Sequence, residues 1–355
     1  MKFNKTLTAI LLFLLLAVGF FAYKTVAAMG FFREVTEFSV IDCETVEGVA
    51  SSEDITVDPE TGMAFVSSVL RGLDLPEGTE RQGAIIGYDL EAADPEPVNL
   101  TADFKQEFFP HGIGLYISPE GRRSLFVINH RADGDFVEIF DYSDGRLAHR
   151  RSVSGDLMHN PNDLIPVGPD SFYVSNDHHA RSFNGQIAED FLRLSKAYVL
   201  YFDGSGFKVV ADGLNYPNGV NISSDGKTVY VAETLGEKLN MYNRDAETGE
   251  LELLETLDVK TGADNIEIDA GGNLYIGAHP RMIDFIKHAK DNSKPAPSHV
   301  IKIAKAEDGT YSAEDIYMEK GGRLPASSVA SPYKNKLLIG AVFAPEFMVC
   351  EFRQK

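Results

Sequence analysis

Eight polar side chains recur at one place in a repeated pattern of this sequence: Glu53, Asp54, His111, Asn162, Asp163, Asn218, Asp264 and Asn265. Each stands at or just before a short β-rich run, and all but His111 end in side-chain oxygens. Any one of them alone reads equally well as a turn cap, because short polar side chains close turns on their own backbone. Recurrence at the same place does not follow from turn capping. Carboxylates gathered in one space repel one another unless a cation compensates. Mixed Asn and Asp oxygens suit a hard cation, and calcium fits best because it takes six to eight oxygens in flexible geometry. Zinc is disfavoured, since no Cys or His cluster has suitable spacing. His111, in FFPHGIG, and His130, closing LFVINH, are the candidate general base and its helper, because imidazole exchanges its proton near neutral pH. His178, His179 and His279 stand at comparable strand ends and are expected near the same opening. No G-x-S-x-G elbow, P-loop or dinucleotide fingerprint occurs, so the chemistry predicted is metal-assisted attack by water.

The elements that must position this set repeat with it. A polar residue or pair precedes a strand, a turn rich in Gly, Pro or Asp, and a second apolar strand. The instances are Glu53-Asp54 with ITVDPETGMAFVSS, His111-Gly112 with IGLYISPEGRRSLFVINH, and Asn162-Asp163 with LIPVGPDSFYVSND. Asn218-Gly219 with VNISSDGKTVYVAE, Asp264-Asn265 with IEIDAGGNLYIGAH, and Ser327-Ser328 with VASPYKNKLLIGAV complete the series. Third strands are expected at AIIGYDL, FVEIFDY, AYVLYFDG, KLNMYNR, HVIKIAKA and FMVCEF. Starts about fifty residues apart fit one four-stranded blade each. The fold class predicted is all-β, a six-bladed β-propeller whose innermost strands line one channel. Helical signals are confined to 186–196 and 281–289 within this region.

Composition bounds the rest. The chain has 355 residues, 44% of them hydrophobic, with 23 Phe and 14 Tyr spread along it, enough for one large domain. The formal charge of -20 makes nucleic acid an unsuitable partner. Lys2 and Lys5 precede an apolar run from Leu7 to Ala22, closed by Tyr23 and Lys24. Residues 1–32 therefore read as a signal peptide or signal anchor, with a weak cleavage motif at Val26-Ala27-Ala28, and residues 33–355 as the propeller. The positive end stays in the cytosol, so the propeller is expected outside it, with the membrane as a partner through the N-terminal segment. The only cysteines, Cys43 and Cys350, sit near the two ends of the exported part and are expected to pair in an oxidising compartment.

Together these stretches resemble the serum paraoxonases and their bacterial relatives, a family of calcium-dependent lactonases and arylesterases. The resemblance runs from about Glu37 to Phe352, through SSEDITV, FFPHGIG, FVINH, NPNDLIPVGPDSFYVSNDHH, DGLNYPNGVNISSDGKTVYVAE, DNIEID and SVASPYKNKLLIGAVF. It implies a six-bladed propeller, a lactone or ester substrate, and two calcium ions in the tunnel. A catalytic ion would be held by Glu53, Asn162, Asn218, Asp264 and Asn265. A deeper structural ion would be held by Asp54, Asp163 and the backbone carbonyl of Ile113. His111 and His130 would match the family's histidine dyad, and Cys43 and Cys350 its disulfide. The sequence departs from the family at SSVLRGLDLPEGTERQG, which lacks the aromatic active-site loop, at Ala278, where a free cysteine is usual, at Tyr216, which replaces a phenylalanine, and around 186–196. Asp264 is an alternative to His111 as the group that activates water. The competing readings are a gluconolactonase-type propeller with one metal, and a non-catalytic, calcium-stabilised binding propeller.

Overall fold

The computed structural model describes residues 5–72, 82–306 and 308–353. Part of the divergent stretch after the first hairpin, residues 73–81, lies outside the described residues, as does Lys2. Six antiparallel sheets form a closed ring, five of four strands and one of five. Their innermost strands are Ser52–Val57, Pro110–Ile117, Pro161–Pro166, Pro217–Ile222, Gly262–Ile268 and Ser327–Tyr333, which number blades one to six. All six polar starts read from the sequence fall in these strands.

Closure follows from the ends of the chain. Strand Ile41–Glu47 is the outermost strand of blade six, paired with Glu346–Phe352 from the other end. Cys43 lies directly opposite Cys350 in that register, and the two form a disulfide across 307 residues of chain. A short strand, Phe38–Ser39, adds a fifth strand to blade five.

The hydrophobic core is as periodic as the strands. It divides into six clusters, one between each neighbouring pair of blades. Phe65, Ile85, Leu125 and Phe140 fill the seam between blades one and two, and Ile55, Val66, Leu338 and Phe347 fill the seam that closes the ring between one and six. Residues on both faces of each sheet are therefore buried, which is why the first three strands of most blades are near-continuous apolar runs.

Three helices complete the described chain. Helix α1, Lys5–Ala28, carries the apolar stretch Ala9–Ala28, long and apolar enough to cross a bilayer and almost wholly exposed. Helix α2, Phe183–Leu192, starts at Ser182, whose side chain accepts from the Gly185 amide, and ends at Arg193 in the left-handed region with φ 51°. Helix α3, Met282–Lys290, has Asp284 in its first turn and Lys287, His288 and Lys290 in its last, the arrangement the helix dipole favours. Helix α3 lies within one residue of the stretch read from the sequence, whereas α2 begins three residues earlier and ends four residues earlier than expected. The end of α1 is tied to them: Thr25 Oγ1 donates to the Phe191 carbonyl at 3.3 Å, and the Ile283 amide donates to Met29 at 3.3 Å.

Candidate metal centre and adjoining cavity

Every innermost strand slips register against its neighbour at its polar start. The slips fall between Ser52 and Asp54, Pro110 and Ile113, Pro161 and Leu164, Pro217 and Val220, Ala263 and Ile266, and Ser327 and Val329. A bulge frees consecutive residues from strict alternation, so both members of a pair can reach the channel. Three of the six begin with proline, Pro110, Pro161 and Pro217, which suits a strand's first residue because it has no N–H to leave unpaired.

Two glycines set how closely the starts approach. A Cβ on Gly112 would lie 2.5 Å from the Asn162 carbonyl oxygen and 2.5 Å from Asp163 Cα. A Cβ on Gly219 would lie 2.4 Å from the Asp264 carbonyl oxygen. His111-Gly112 and Asn218-Gly219 therefore alternate with fully armed pairs because each glycine leaves room for the next blade's pair.

The result is a buried cluster of oxygens from four blades. Glu53, Asn162, Asn218, Asp264 and Asn265 are all at most 5% exposed. Each has one side-chain oxygen with no hydrogen-bond partner among the described residues: Glu53 Oε2, Asn162 Oδ1, Asn218 Oδ1, Asp264 Oδ1 and Asn265 Oδ1. Buried unsatisfied polar atoms are rare and costly, and five around one channel call for a shared partner. Their other ends are engaged. Asn265 Nδ2 donates to Glu53 Oε1 at 3.1 Å, Asn162 Nδ2 to Asp177 Oδ2 at 3.1 Å, and His279 Nε2 lies 2.8 Å from Asp264 Oδ2. Among the described residues no three His, Cys, Asp or Glu side chains are placed to hold a metal by themselves, so the donor set depends on the three amides. Neutral amides with two carboxylates are hard oxygen donors, the chemistry a calcium ion requires.

Asp54 and Asp163, like Asn265, are buried outside the cavity lining. Glu53, Asn162, Asn218 and Asp264 line the cavity above the channel, whereas Asp54 and Asp163 do not. Asp54 accepts from the amides of Ile55 at 2.9 Å and Ile113 at 2.7 Å, and Asp163 from those of Leu164 and Val220, both at 2.7 Å. Ile113 thus lies beside Asp54, joined to it by its amide.

Electrostatics divide the carboxylates. Burial raises the Glu53 carboxyl, but His111, Arg71 and Asn265 outweigh it and hold it at about 2. Burial lifts Asp264 to about 6 against the pull of His279. Burial, and then neighbouring carboxylates, push Asp54 and Asp163 well above the usual range.

The histidine pair meets beside Glu53. His111 Nδ1 is 2.9 Å from His130 Nε2, and His130 Nδ1 is 2.7 Å from Asp135 Oδ1. When ionised, Asp135 can only accept, which assigns Nδ1–H to His130, leaves its Nε2 to accept from His111, and leaves His111 Nε2 with a lone pair. That atom lies 3.6 Å from Glu53 Oε1. Burial, Arg71 and His130 lower the His111 pKa against Glu53, so the ring is neutral at physiological pH. Sequence reasoning missed Asp135. It is directly opposite His130 across the turn at Ala132-Asp133, a cross-strand relation that the hairpin register carries.

Other placements differ from expectation. His279 lines the cavity, whereas His178 stands behind its wall between Asp177 and Asp190, and His179 packs against His159 and Tyr198. Arg71, also missed, lines the cavity and donates to the Pro110 carbonyl at 2.7 Å. It follows the second strand in a loop with no periodic signal.

The cavity measures about 840 Å³. Its floor includes four residues of the oxygen cluster, Glu53, Asn162, Asn218 and Asp264, and His111 and His130 line it too. Its walls are apolar and come largely from the helices: Met29 after α1, Phe191 from α2, Met282, Phe285 and Ile286 from α3, with Phe343. Tyr216 adds a polar tip, with φ 58° and a hydroxyl whose pKa burial and nearby carboxylates raise well above normal. A polar, charged floor under an apolar chamber suits a small molecule with one reactive polar group and an apolar remainder.

The sequence pattern of the arylesterase family matches residues 34–352. Human serum paraoxonase/arylesterase 1 is 35% identical over 320 residues, covering 88% of this chain and 89% of that protein. Chicken (Gallus gallus) serum paraoxonase/arylesterase 2 is 34% identical over 319 residues, with the same coverage of 88% and 89%. The chain belongs to the arylesterase family, the family of the serum paraoxonases. Solved structures share the fold at lower identity. A luciferin-regenerating enzyme superposes with a TM-score of 0.56 at 14% identity, covering 88% of this chain and 95% of its own. A gluconolactonase from Xanthomonas campestris gives 0.53 at 16%, covering 90% and 94%. The calcium-binding protein regucalcin from Agrobacterium tumefaciens gives 0.51 at 15%, covering 90% and 96%.

Proposed function

We propose that this chain is a calcium-dependent hydrolase of lactones and, less efficiently, of aryl esters. Five clustered, unpartnered buried oxygens, on four residues that line an apolar chamber and on Asn265 beside them, next to a histidine pair, carry the reading. Glu53, Asn162, Asn218, Asp264 and Asn265 would hold one calcium ion. Asp54, Asp163 and the carbonyl of Ile113 would hold a second, structural one. When bound, the upper ion supplies positive charge for the carbonyl oxygen of the substrate, where negative charge develops on attack. The protein's own groups do the rest. His111 Nε2 accepts the proton of the attacking water and returns it to the leaving alkoxide oxygen as the acyl C–O bond breaks, and His111 Nδ1–H is held by His130. Asp135 fixes the tautomer of His130 and stabilises positive charge as it forms. The apolar walls hold the remainder of the substrate and exclude bulk water from the floor.

Residues 1–32 would export the chain and anchor it, with residues 33–355 as the hydrolase outside the cytosol. The exposed apolar helix and the Cys43–Cys350 disulfide support that placement. The reading is tested with the full chain on a panel of lactones and aryl esters, with and without a strong chelator. Hydrolysis that chelation abolishes is expected. No hydrolysis of any substrate, or hydrolysis indifferent to chelation, overturns it. Calorimetry counts the ions: one per chain would favour the single-metal propeller instead.

A further inference from the structure

An amide that donates an oxygen to a metal has a wrong way round. Rotated by half a turn, Asn162 would present Nδ2 to the channel in place of Oδ1. A carboxylate decides between the two. Asn162 Nδ2 donates to Asp177 Oδ2 at 3.1 Å, and an ionised carboxylate only accepts, so Oδ1 is turned toward the other buried oxygens.

Asp177 is itself held. Its Oδ1 is 2.7 Å from His178 Nδ1, and His178 Nε2 is 2.9 Å from Asp190 Oδ1. With a carboxylate on each ring nitrogen, His178 donates from both and is an imidazolium. Asp177 and Asp190 raise its pKa to about 10, although burial opposes them. Tyr216 packs edge-on against the ring, 5.0 Å between centroids, and blocks one direction of tilt. Asp190 belongs to α2, whose next residue, Phe191, forms part of the cavity wall. Four side chains thus run unbroken from the covering helix to a buried oxygen donor.

We propose that Asp190 is a positioning residue: through His178 and Asp177 it fixes the amide of Asn162, and so couples the seating of α2 to calcium binding at the upper site. The coupling is reciprocal, so a ligand pressing on the α2 wall changes calcium affinity, and calcium changes affinity for that ligand. The inference rests on the calcium reading above. The neighbouring acid on α2 does a separate job. Glu189 accepts from the amides of His179 at 3.0 Å and Ala180 at 3.1 Å, docking the helix to backbone without touching the relay.

The test uses the full chain, stripped by chelator and titrated with calcium by calorimetry. Changes to groups that orient a metal ligand typically cost about 10–100-fold in metal affinity. Asp190→Asn, which keeps shape and removes charge, is expected to weaken one calcium-binding step about tenfold, at the lower end of that range. Its kcat should fall with KM little changed, and its Tm in saturating calcium should match the parent. Asp177→Asn, one link nearer, should weaken the same step at least as much, and Asp190→Glu should restore most of it. Glu189→Gln should leave the affinity unchanged. Parental affinity in Asp190→Asn overturns the proposal. So does equal weakening in Glu189→Gln, which keeps an oxygen acceptor for those amides and so keeps α2 seated, because loss of any charge on α2 would then be the cause. Calcium titration does not depend on turnover. A parent chain that binds calcium but cleaves no lactone or ester would refute the proposed activity and leave this inference standing, whereas one that binds no calcium would refute both.

Discussion

Stripping calcium is expected to destabilise the fold and to reverse the sign of its pH dependence. Four carboxylates, Glu53, Asp54, Asp163 and Asp264, are buried around one channel. Glu53 and Asp264 have histidines at 3.6 Å and 2.8 Å. Asp54 and Asp163 form no ion pair among the described residues and rely on backbone amides alone. Burial and neighbouring carboxylates raise both pKa values, so in the calcium-free chain folding takes up protons at these sites. A carboxyl with a raised folded pKa contributes stability below its unfolded value, about 3.9 for Asp, and loses it as pH rises through the folded value. The stripped chain should therefore become less stable as pH rises. The loaded chain should become more stable over the same range, because the ion binds ionised carboxylates. With free calcium about a thousandfold above its dissociation constant, one site contributes roughly 4 kcal/mol. At about 2–4 °C per kcal/mol this is a Tm difference on the order of 8–16 °C. Scanning calorimetry of the full chain, in excess calcium and in excess chelator at mildly acidic and mildly alkaline pH, reads both effects. Equal Tm values with and without chelator at alkaline pH, or parallel pH slopes, would refute the reasoning.

Further outcomes follow from the same geometry. His111→Gln should lower kcat for lactones by about 10²–10⁴, the usual contribution of a general base, and unchanged turnover would transfer that role to Asp264. In the parent chain kcat/KM should fall as acid protonates His111, with an apparent pKa below the ordinary histidine value because burial and Arg71 depress it. His178 has its pKa raised to about 10 by Asp177 and Asp190, so its contribution is complete below about 6.5 and fades as pH rises through 10. The stability advantage of the parent over His178→Gln, measured by denaturant unfolding, should shrink across that interval. Removing the disulfide with Cys43→Ala and Cys350→Ala together should cost up to about 5–6 kcal/mol, the chain-entropy value for closing a loop of this length. A midpoint unchanged in denaturant would show that blade six closes on its hydrogen bonds and seams alone.

How far the sequence reached depended on what each element buries. Inner strands such as Ser327–Tyr333, and third strands such as Ala197–Phe202, are buried along nearly their whole length and stand out as apolar runs. Outermost strands do not. Leu251–Asp258 is exposed or half-exposed throughout, and Arg146–Val153 buries only Leu147 and Val153. They are strands because a third strand offers them an edge, which no local pattern records. The residues of the buried oxygen cluster were legible because recurrence marks them. Asp135, Asp177 and Asp190 were not, because each acts on a histidine or an amide rather than at a repeat start, and their roles exist only once the chain is folded.

The bulges and glycines also explain why the repeats are unequal. An ideal strand would turn one member of each polar pair into a seam, where an ionised side chain is costly. A bulge keeps both at the channel, but at blades two and four a second side chain would collide with the pair of the next blade. Gly112 and Gly219 resolve the conflict, since the space a Cβ would need is taken by the backbone of Asn162-Asp163 and of Asp264-Asn265. Gly112→Ala should therefore act on its neighbour. The methyl meets Asn162 and Asp163, one from each of the two proposed calcium sites, so both calcium-binding steps should weaken together. Asp190→Asn, by contrast, should weaken only one. Calorimetric titration of the two variants side by side distinguishes them. A Gly112→Ala chain that folds and binds both ions with parental affinity would show that the blades can shift apart, and that the alternation of glycine with paired donors has some other origin.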